Sequence, residues 1–115
     1  MKDKPGDKAR LLHIADAISE VENYVQGMDF EAFEKDSKTR FASIKQLEII
    51  GEAANHLTKE LKENYKAVQW EPIIALRHIL VHEYYGIQSD ILWRIITVHL
   101  PIFKAALEPI INASK

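Results

Sequence analysis

The sequence predicts an all-α fold, an up-and-down bundle of four to five helices in a single domain spanning residues 1–115. Three observations carry this. Apolar residues recur at steps of three and four over most of the chain. No stretch shows the apolar/polar alternation of a half-buried strand. The four glycines and four prolines fall mostly where helices should end. A chain of 115 residues fits one domain and leaves little room for a second.

The elements follow in order. Residues 1–7 read as a flexible lead-in. From Ala9 to about Gln26 the apolar positions Leu11, Ile14, Ile18, Val21 and Val25 are three, four, three and four apart, an amphipathic helix that Gly27 should end. A short helical turn over 29–35 would face Phe30 and Phe33 inward. Asp36 or Ser37 can cap a long second helix, with an apolar stripe through Leu47, Ile50, Ala54, Leu57 and Leu61, extended N-terminally by Phe41 and Ile44. Gly51 inside that helix costs about 1 kcal/mol relative to alanine, so its presence points to another helix packed close against it. Residues 64–69 form a connector. Pro72 suits the first turn of a third helix running to Glu83 or Tyr85, where Gly86 stops it. Ser89 or Asp90 caps a fourth, with Ile91, Ile95 and Val98 inward, and Pro101 should kink or end it. A last helix reaches about Ile111.

Composition narrows the function. The hydrophobic fraction of 47% supplies a core, yet so small a domain buries only about two thirds of its unfolded surface, and further burial in a homodimer would help it. Fifteen basic and seventeen acidic residues give a formal net charge of −2. Non-specific nucleic-acid binders are usually basic, so any RNA contact must come from a local cluster. The absence of cysteine excludes disulfides, thiolate catalysis and Cys-ligated zinc. The N-terminus is charged and has no apolar signal core, and no apolar run approaches the ~18 residues that span a bilayer. A cytoplasmic protein without membrane attachment is expected.

The segment from Pro72 to Tyr85 stands apart. Ile73, Leu76, Ile79 and Leu80 cover one arc of the helix, with Ile74 and Val81 on another side, so it should be enclosed by neighbours or by a second subunit. Set into it are Arg77, His78, His82, Tyr84 and Tyr85, with Glu83 their only carboxylate. Arg77 and Tyr84 lie about 20° apart around the helix, and His78, His82 and Tyr85 form an adjacent stripe. Arg77 and His82 are separated by about 140° on an ideal helix. They can converge through long side chains, a loosened helix end or a partner's copy. Arg77 has no carboxylate three or four residues away, so its partner is either remote or an anion such as a phosphate, which the planar guanidinium fork suits. Histidine is the side chain best able to move a proton at neutral pH. Arg77 and His82 therefore suffice for cutting RNA without a metal: His82 takes the 2′-hydroxyl proton or protonates the leaving oxygen, and Arg77 stabilises the phosphorane-like transition state. Taken singly, each of these residues is more often structural: a buried ion pair for the arginine, a satisfied core imidazole for a histidine, a core or interface aromatic for the tyrosines.

Arg77-x4-His82-x-Tyr84 resembles the Arg-x4-His-x-Tyr motif of HepT-like proteins, a branch of the HEPN helical nucleases. Arg10-x2-His13-Ile14 with Ala17-Ile18 and Tyr24 is similar to that family's first helix, and Ile50-Gly51-Glu52-Ala53-Ala54 to its second-helix signature. Trp70-x2-Ile73 and Trp93 also fall where the family places such residues. The resemblance implies a HEPN-like bundle that pairs as a homodimer across a cleft, and a toxin that is a metal-independent endoribonuclease with no cofactor. Its partners would be RNA and a minimal nucleotidyltransferase antitoxin that adds AMP to Tyr84. Arg77 and His82 would be catalytic, with His78 and Tyr85 supporting. Many relatives carry Asn after the motif arginine; the His78 found here could share the proton transfer.

Other constellations are weaker. His78 and His82 have zinc-compatible spacing but no evident third ligand, and Glu83 is not placed as a metalloprotease needs. Glu48 and Glu52, with Lys45 nearby, read as a solvated face, although Glu52 could instead reach the third helix and pair with Arg77. Trp70 and Trp93 read as core or interface anchors, and Arg94 and His99 could widen a basic rim. The competing function is a non-catalytic helical dimer that binds a nucleotide or the antitoxin, which the net negative charge favours. A pure scaffold with Arg77 as a structural ion pair is the third.

Overall fold

The three-four spacing of the first apolar stripe becomes helix α1 (Asp7–Val25), with Leu11, Ile14, Ala17, Ile18 and Val21 buried. The structure is a computed structural model that describes residues 6–83 and 88–114, the side chains of 78–83 excepted. Helix α1 begins two residues earlier than the spacing suggests, because Asp7 has a partner far along the chain: its carboxylate accepts from the backbone N–H (2.9 Å) and the hydroxyl (2.6 Å) of Thr58. Gly27 follows α1 with φ at 79°, the left-handed conformation that glycine adopts without steric cost.

Helix α2 (Phe30–Lys35) is capped by Asp29, which accepts from Ala32 N–H. It buries Phe33, whose ring lies 4.9 Å from that of Trp93. Asp36 caps α3 (Ser37–Asn55) by accepting from both the N–H and the hydroxyl of Thr39. These two bonds hold its carboxyl below the usual range. The predicted stripe of Ile44, Leu47, Ile50 and Ala54 is buried, but Phe41 is exposed. The stripe also does not run on one helix to Leu61. Helix α3 ends at Asn55, and Thr58 caps a separate short α4 (Lys59–Asn64), which brings Leu57 into the core and leaves Leu61 half-buried.

Helix α5 (Trp70–Glu83) carries the segment singled out above. Trp70 anchors it: its indole N–H donates to the Tyr65 carbonyl at 3.1 Å, and its ring meets Phe103 edge-on at 6.0 Å. Ile73 and Leu76 are buried, as predicted. The inward placement of Ile79 and Leu80, and the stop at Gly86, lie outside the described residues. Helix α6 (Ser89–Arg94) has Gln88 at its cap position, without a side-chain bond. Neither Ser89 nor Asp90 caps it: Asp90 sits inside the helix and accepts from the adjacent Ile91 N–H.

The chain does not stop at Pro101. A π-helical segment (Ile95–His99) links α6 to α7 (Leu100–Ala113), with Leu100 N–H bonded to Ile95 O. Proline offers no N–H and crowds the preceding turn, and a widened turn at that point absorbs both effects. The face turned to the core carries Leu92, Ile96, Leu100, Phe103, Leu107 and Ile110, all buried, while of the residues expected inside Ile91 and Val98 are exposed and Ile95 is partly buried. The run from Ser89 to Ala113 is a 25-residue helix, long and apolar enough by length and composition alone to cross a membrane, although Asp90, Arg94, Lys104 and Glu108 interrupt its apolar residues. Here its apolar face packs on the bundle, and Lys104 pairs with Glu22 of α1 at 3.1 Å.

The described residues contain no strand. Helix α3 is central, with α1 on one flank and α5 on the other; α7 closes over α1, and α2 bridges α3 and α6. Ser43 is fully buried on α3, and its hydroxyl has no hydrogen-bond partner among the described residues. An unsatisfied buried hydroxyl costs about 1–3 kcal/mol. Ser43→Ala should therefore leave stability unchanged or raise it, which urea melts of the two proteins will report.

Candidate active site

The site is built where α5 crosses α3. Gly51 faces α5 so closely that a Cβ placed there would lie 2.7 Å from Arg77 N, 3.0 Å from Arg77 Cβ and 3.0 Å from Ile73 O. The close helix contact inferred from that glycine is thus a contact with Arg77 itself. One residue further along α3, Glu52 meets the same arginine: Arg77 Nε is ion-paired to Glu52 Oε1. Of the two roles open to Glu52, pairing across helices is the one adopted. The remote partner that Arg77 lacked on its own helix is this carboxylate.

Both groups remain open to solvent, Arg77 being 47% and Glu52 48% exposed. The pair is therefore not a sealed internal ion pair. It engages Nε, and no described residue accepts a bond from Nη1 or Nη2. With Nε paired to Glu52, the Nη groups are the donors with which an arginine can grip a phosphate as a planar fork. The other Glu52 oxygen accepts from His56 Nε2 at 2.8 Å. That bond first, and then the Arg77 charge, hold the Glu52 carboxyl below its usual range, against an upward push from desolvation.

Arg77 and Glu52 line an open recess of about 330 Å³. Ile49 and Ala53 of α3 form its floor, and Lys45 and Glu48, 3.9 Å apart, sit beside them. Arg10 and His13 of α1 form the opposite wall. Neither of these two, nor His56, is given a place in the site by sequence reasoning. The i, i+3 spacing of Arg10 and His13, and the i, i+4 spacing of Glu52 and His56, are the signals that could have found them. They become meaningful only once α1, α3 and α5 are known to lie side by side.

His78 and His82 fall within α5, but their side chains lie outside the described residues, as do Tyr84 and Tyr85. Arg94 and His99 do not line the recess; His99 lines a separate apolar groove between α5 and α7.

The sequence matches the family described as "Ribonuclease HepT-like" over residues 14–110. The chain belongs to this HepT-like family. The match runs from α1 through nearly all of α7 and includes α3 and α5, the two helices that hold Arg77 and Glu52 together. A protein of Methanocaldococcus jannaschii described as a "Putative RNase" is 34% identical over 101 residues, covering 88% of this chain and 93% of that protein. A Thermococcus cleftensis protein described as a probable ribonuclease HepT is 34% identical over 105 residues, covering 91% and 96%. No solved structure matches the chain.

The ion pair has a pH signature. The folded-state pKa of Glu52 lies below its ordinary 4.5, through His56 first and then Arg77, so these contacts of the carboxylate contribute stability above that value and lose it as pH falls through the lower, folded one. Because both ends are about half exposed, the contribution is small, below about 1 kcal/mol. Glu52→Gln should therefore melt slightly lower than wild type at neutral pH, and the two melting curves should merge in acid. A gap that widens on acidification would mean that the carboxylate is not held in its ionised form by the fold.

Proposed function

We propose that this HepT-like chain is a metal-independent endoribonuclease, the cytoplasmic toxin of a toxin–antitoxin pair. The observation that carries the reading is Arg77, held by Glu52 at the mouth of an open recess in a chain of the HepT-like ribonuclease family.

In this mechanism the guanidinium receives the scissile phosphodiester on its free edge. The RNA 2′-hydroxyl oxygen attacks phosphorus as its proton passes to a base, and the bond to the 5′ oxygen breaks as that oxygen takes up a proton. The products are a 2′,3′-cyclic phosphate and a 5′-hydroxyl. His82 supplies the proton transfer on one side of the reaction. His78, four residues away on the same helix, is positioned by sequence to share it, with Tyr85 in support. Arg77 meets the charge that builds on the phosphorane oxygens.

Two copies of the chain would bring two such helices to one cleft, and exposed Ile91, Val98 and Ile102 supply apolar surface that a second copy can cover. Control would come from a minimal nucleotidyltransferase antitoxin that adenylylates Tyr84. The added phosphates would occupy the anion site beside Arg77 and place bulk and negative charge over the cleft.

The test is RNA cleavage in EDTA by wild type and by His82→Ala. Cleavage in wild type that is lost in the variant supports the reading; equal cleavage by both overturns it. Intact mass after co-expression with the antitoxin should show added adenylyl groups that Tyr84→Phe abolishes. The net charge of −2 favours one other reading, a non-catalytic dimer that binds a nucleotide or the antitoxin. That reading predicts Arg77-dependent nucleotide binding with no RNA turnover.

A further inference from the structure

The charge around the recess is distributed unevenly. Its two carboxylates are both engaged, Glu52 by Arg77 and His56, and Glu48 by Lys45. Arg10 and His13, on the opposite wall, have no ion-pair or side-chain hydrogen-bond partner among the described residues. They lie three residues apart on α1, so they project from one face of that helix. Leu11 and Ile14 are fully buried, which fixes the rotation of α1. Arg10 is half-buried and His13 exposed. In a chain of net charge −2, a full cation and an imidazole that line the same recess as Arg77, with no carboxylate partner among the described residues, form a local anion site.

We propose that Arg10 and His13 form a phosphate-binding subsite that holds the RNA backbone one step away from the scissile phosphodiester. The inference rests on the ribonuclease reading above and deepens it. A single strand that presents one phosphate to Arg77 crosses the floor of α3 and presents a neighbouring phosphate to the α1 wall. Arg10 offers a planar pair of donors to the phosphate oxygens, and His13 adds a ring N–H in either neutral tautomer. Neither group touches the reacting atoms. Their contribution is binding energy made equally in ground and transition states, which lowers KM without changing kcat. Because they grip only the backbone, they carry no sequence preference.

The test uses Arg10→Gln, His13→Gln and the double variant, in two backgrounds. In otherwise wild-type protein, the double variant should raise KM for a mixed-sequence oligoribonucleotide roughly tenfold, with kcat held within about twofold. In the His82→Ala background, anisotropy of the same labelled oligonucleotide should show Kd raised to match. The salt dependence should be shallower by about 0.7 for each phosphate that the variant no longer neutralises. Arg10→Lys, which keeps the charge, should recover most of the affinity. Should the double variant fail to fold, exposed His13→Gln alone reads the same quantities with a smaller shift. Unchanged KM, Kd and salt slope in an enzyme that still cuts RNA would overturn the subsite and leave the ribonuclease reading intact. Loss of antitoxin binding with RNA affinity unchanged would also overturn it, marking the wall as a protein-binding surface. Wild type that neither binds nor cuts RNA would remove the ribonuclease reading and the subsite with it.

Discussion

Arg77→Ala should lower RNA cleavage by about a hundred- to a thousandfold, the usual cost of removing one preorganised donor to a developing oxyanion, while leaving the melting temperature nearly unchanged. The two halves of this expectation have separate origins. The Arg77–Glu52 pair is about half exposed at both ends, and such pairs are worth about 0.2–1 kcal/mol. For a domain of this size a loss of that order moves the midpoint by only about 5 °C or less. A pair that weak does little for the fold. Its consequence is positional: the contact at Nε holds Arg77 against Glu52 on the recess that both residues line. Arg77→Lys keeps the charge but loses the fork, and should recover only a small part of the activity. Glu52→Gln should fall between wild type and Arg77→Ala, since an amide can still accept from Nε but without the charge. Cleavage rates and melting curves measured on the same preparations decide the matter. A steep fall in melting temperature for Arg77→Ala, with activity falling in step, would make the arginine a structural ion pair.

Much of this is legible in the amino-acid sequence alone. Burial on α1 follows the spacing of Leu11, Ile14, Ile18 and Val21, because a helix packed on one side expresses its period directly in the chain. Asp36 as a cap and Gly27 as a stop are local chemistry, decided within a few residues. Gly51 is readable as a close approach because its helical cost has to be offset by something. The failures share a cause. Phe41 has the right spacing, but about half of its surface stays open to solvent. Ile91 and Val98 have helical spacing, but it is the neighbouring stripe of Leu92, Ile96 and Leu100 that the bundle covers. Periodicity reports which residues share a face; it does not report whether a partner covers that face. The same holds for the site. Arg77 is identifiable from its own helix and Glu52 is readable as one of two alternatives for its carboxylate, whereas the choice between them, and Arg10 and His13 as the facing wall, depend on three helices lying side by side.

Gly51 is where fold and site depend on the same few atoms, and Gly51→Val should be strongly destabilising. At an ordinary helix position, replacing glycine by alanine gains about 1 kcal/mol. Here the sign should reverse. The new Cβ would lie 2.7 Å from the Arg77 backbone nitrogen and 3.0 Å from the Ile73 oxygen, backbone atoms that no rotamer change can move aside. Overpacking costs about 1–3 kcal/mol in cores that can adjust, and relieving this clash requires α5 as a whole to retreat from α3. Gly51→Ala should therefore lose about 2 kcal/mol net, lowering the melting temperature by roughly 10 °C. Valine adds two methyl groups at the same point and should lose more. The effect on cleavage should exceed the effect on folding. Below its melting temperature, folded Gly51→Ala should still cut RNA poorly, because retreat of α5 carries Arg77 away from Glu52 and an error of about 1 Å in placing a catalytic group can cost a hundredfold. Thermal melts, with cleavage assayed well below each midpoint, separate the two effects. A Gly51→Ala protein as stable as wild type and fully active would show that α3 and α5 have room between them, and that Glu52 does not set the position of Arg77 through this close approach.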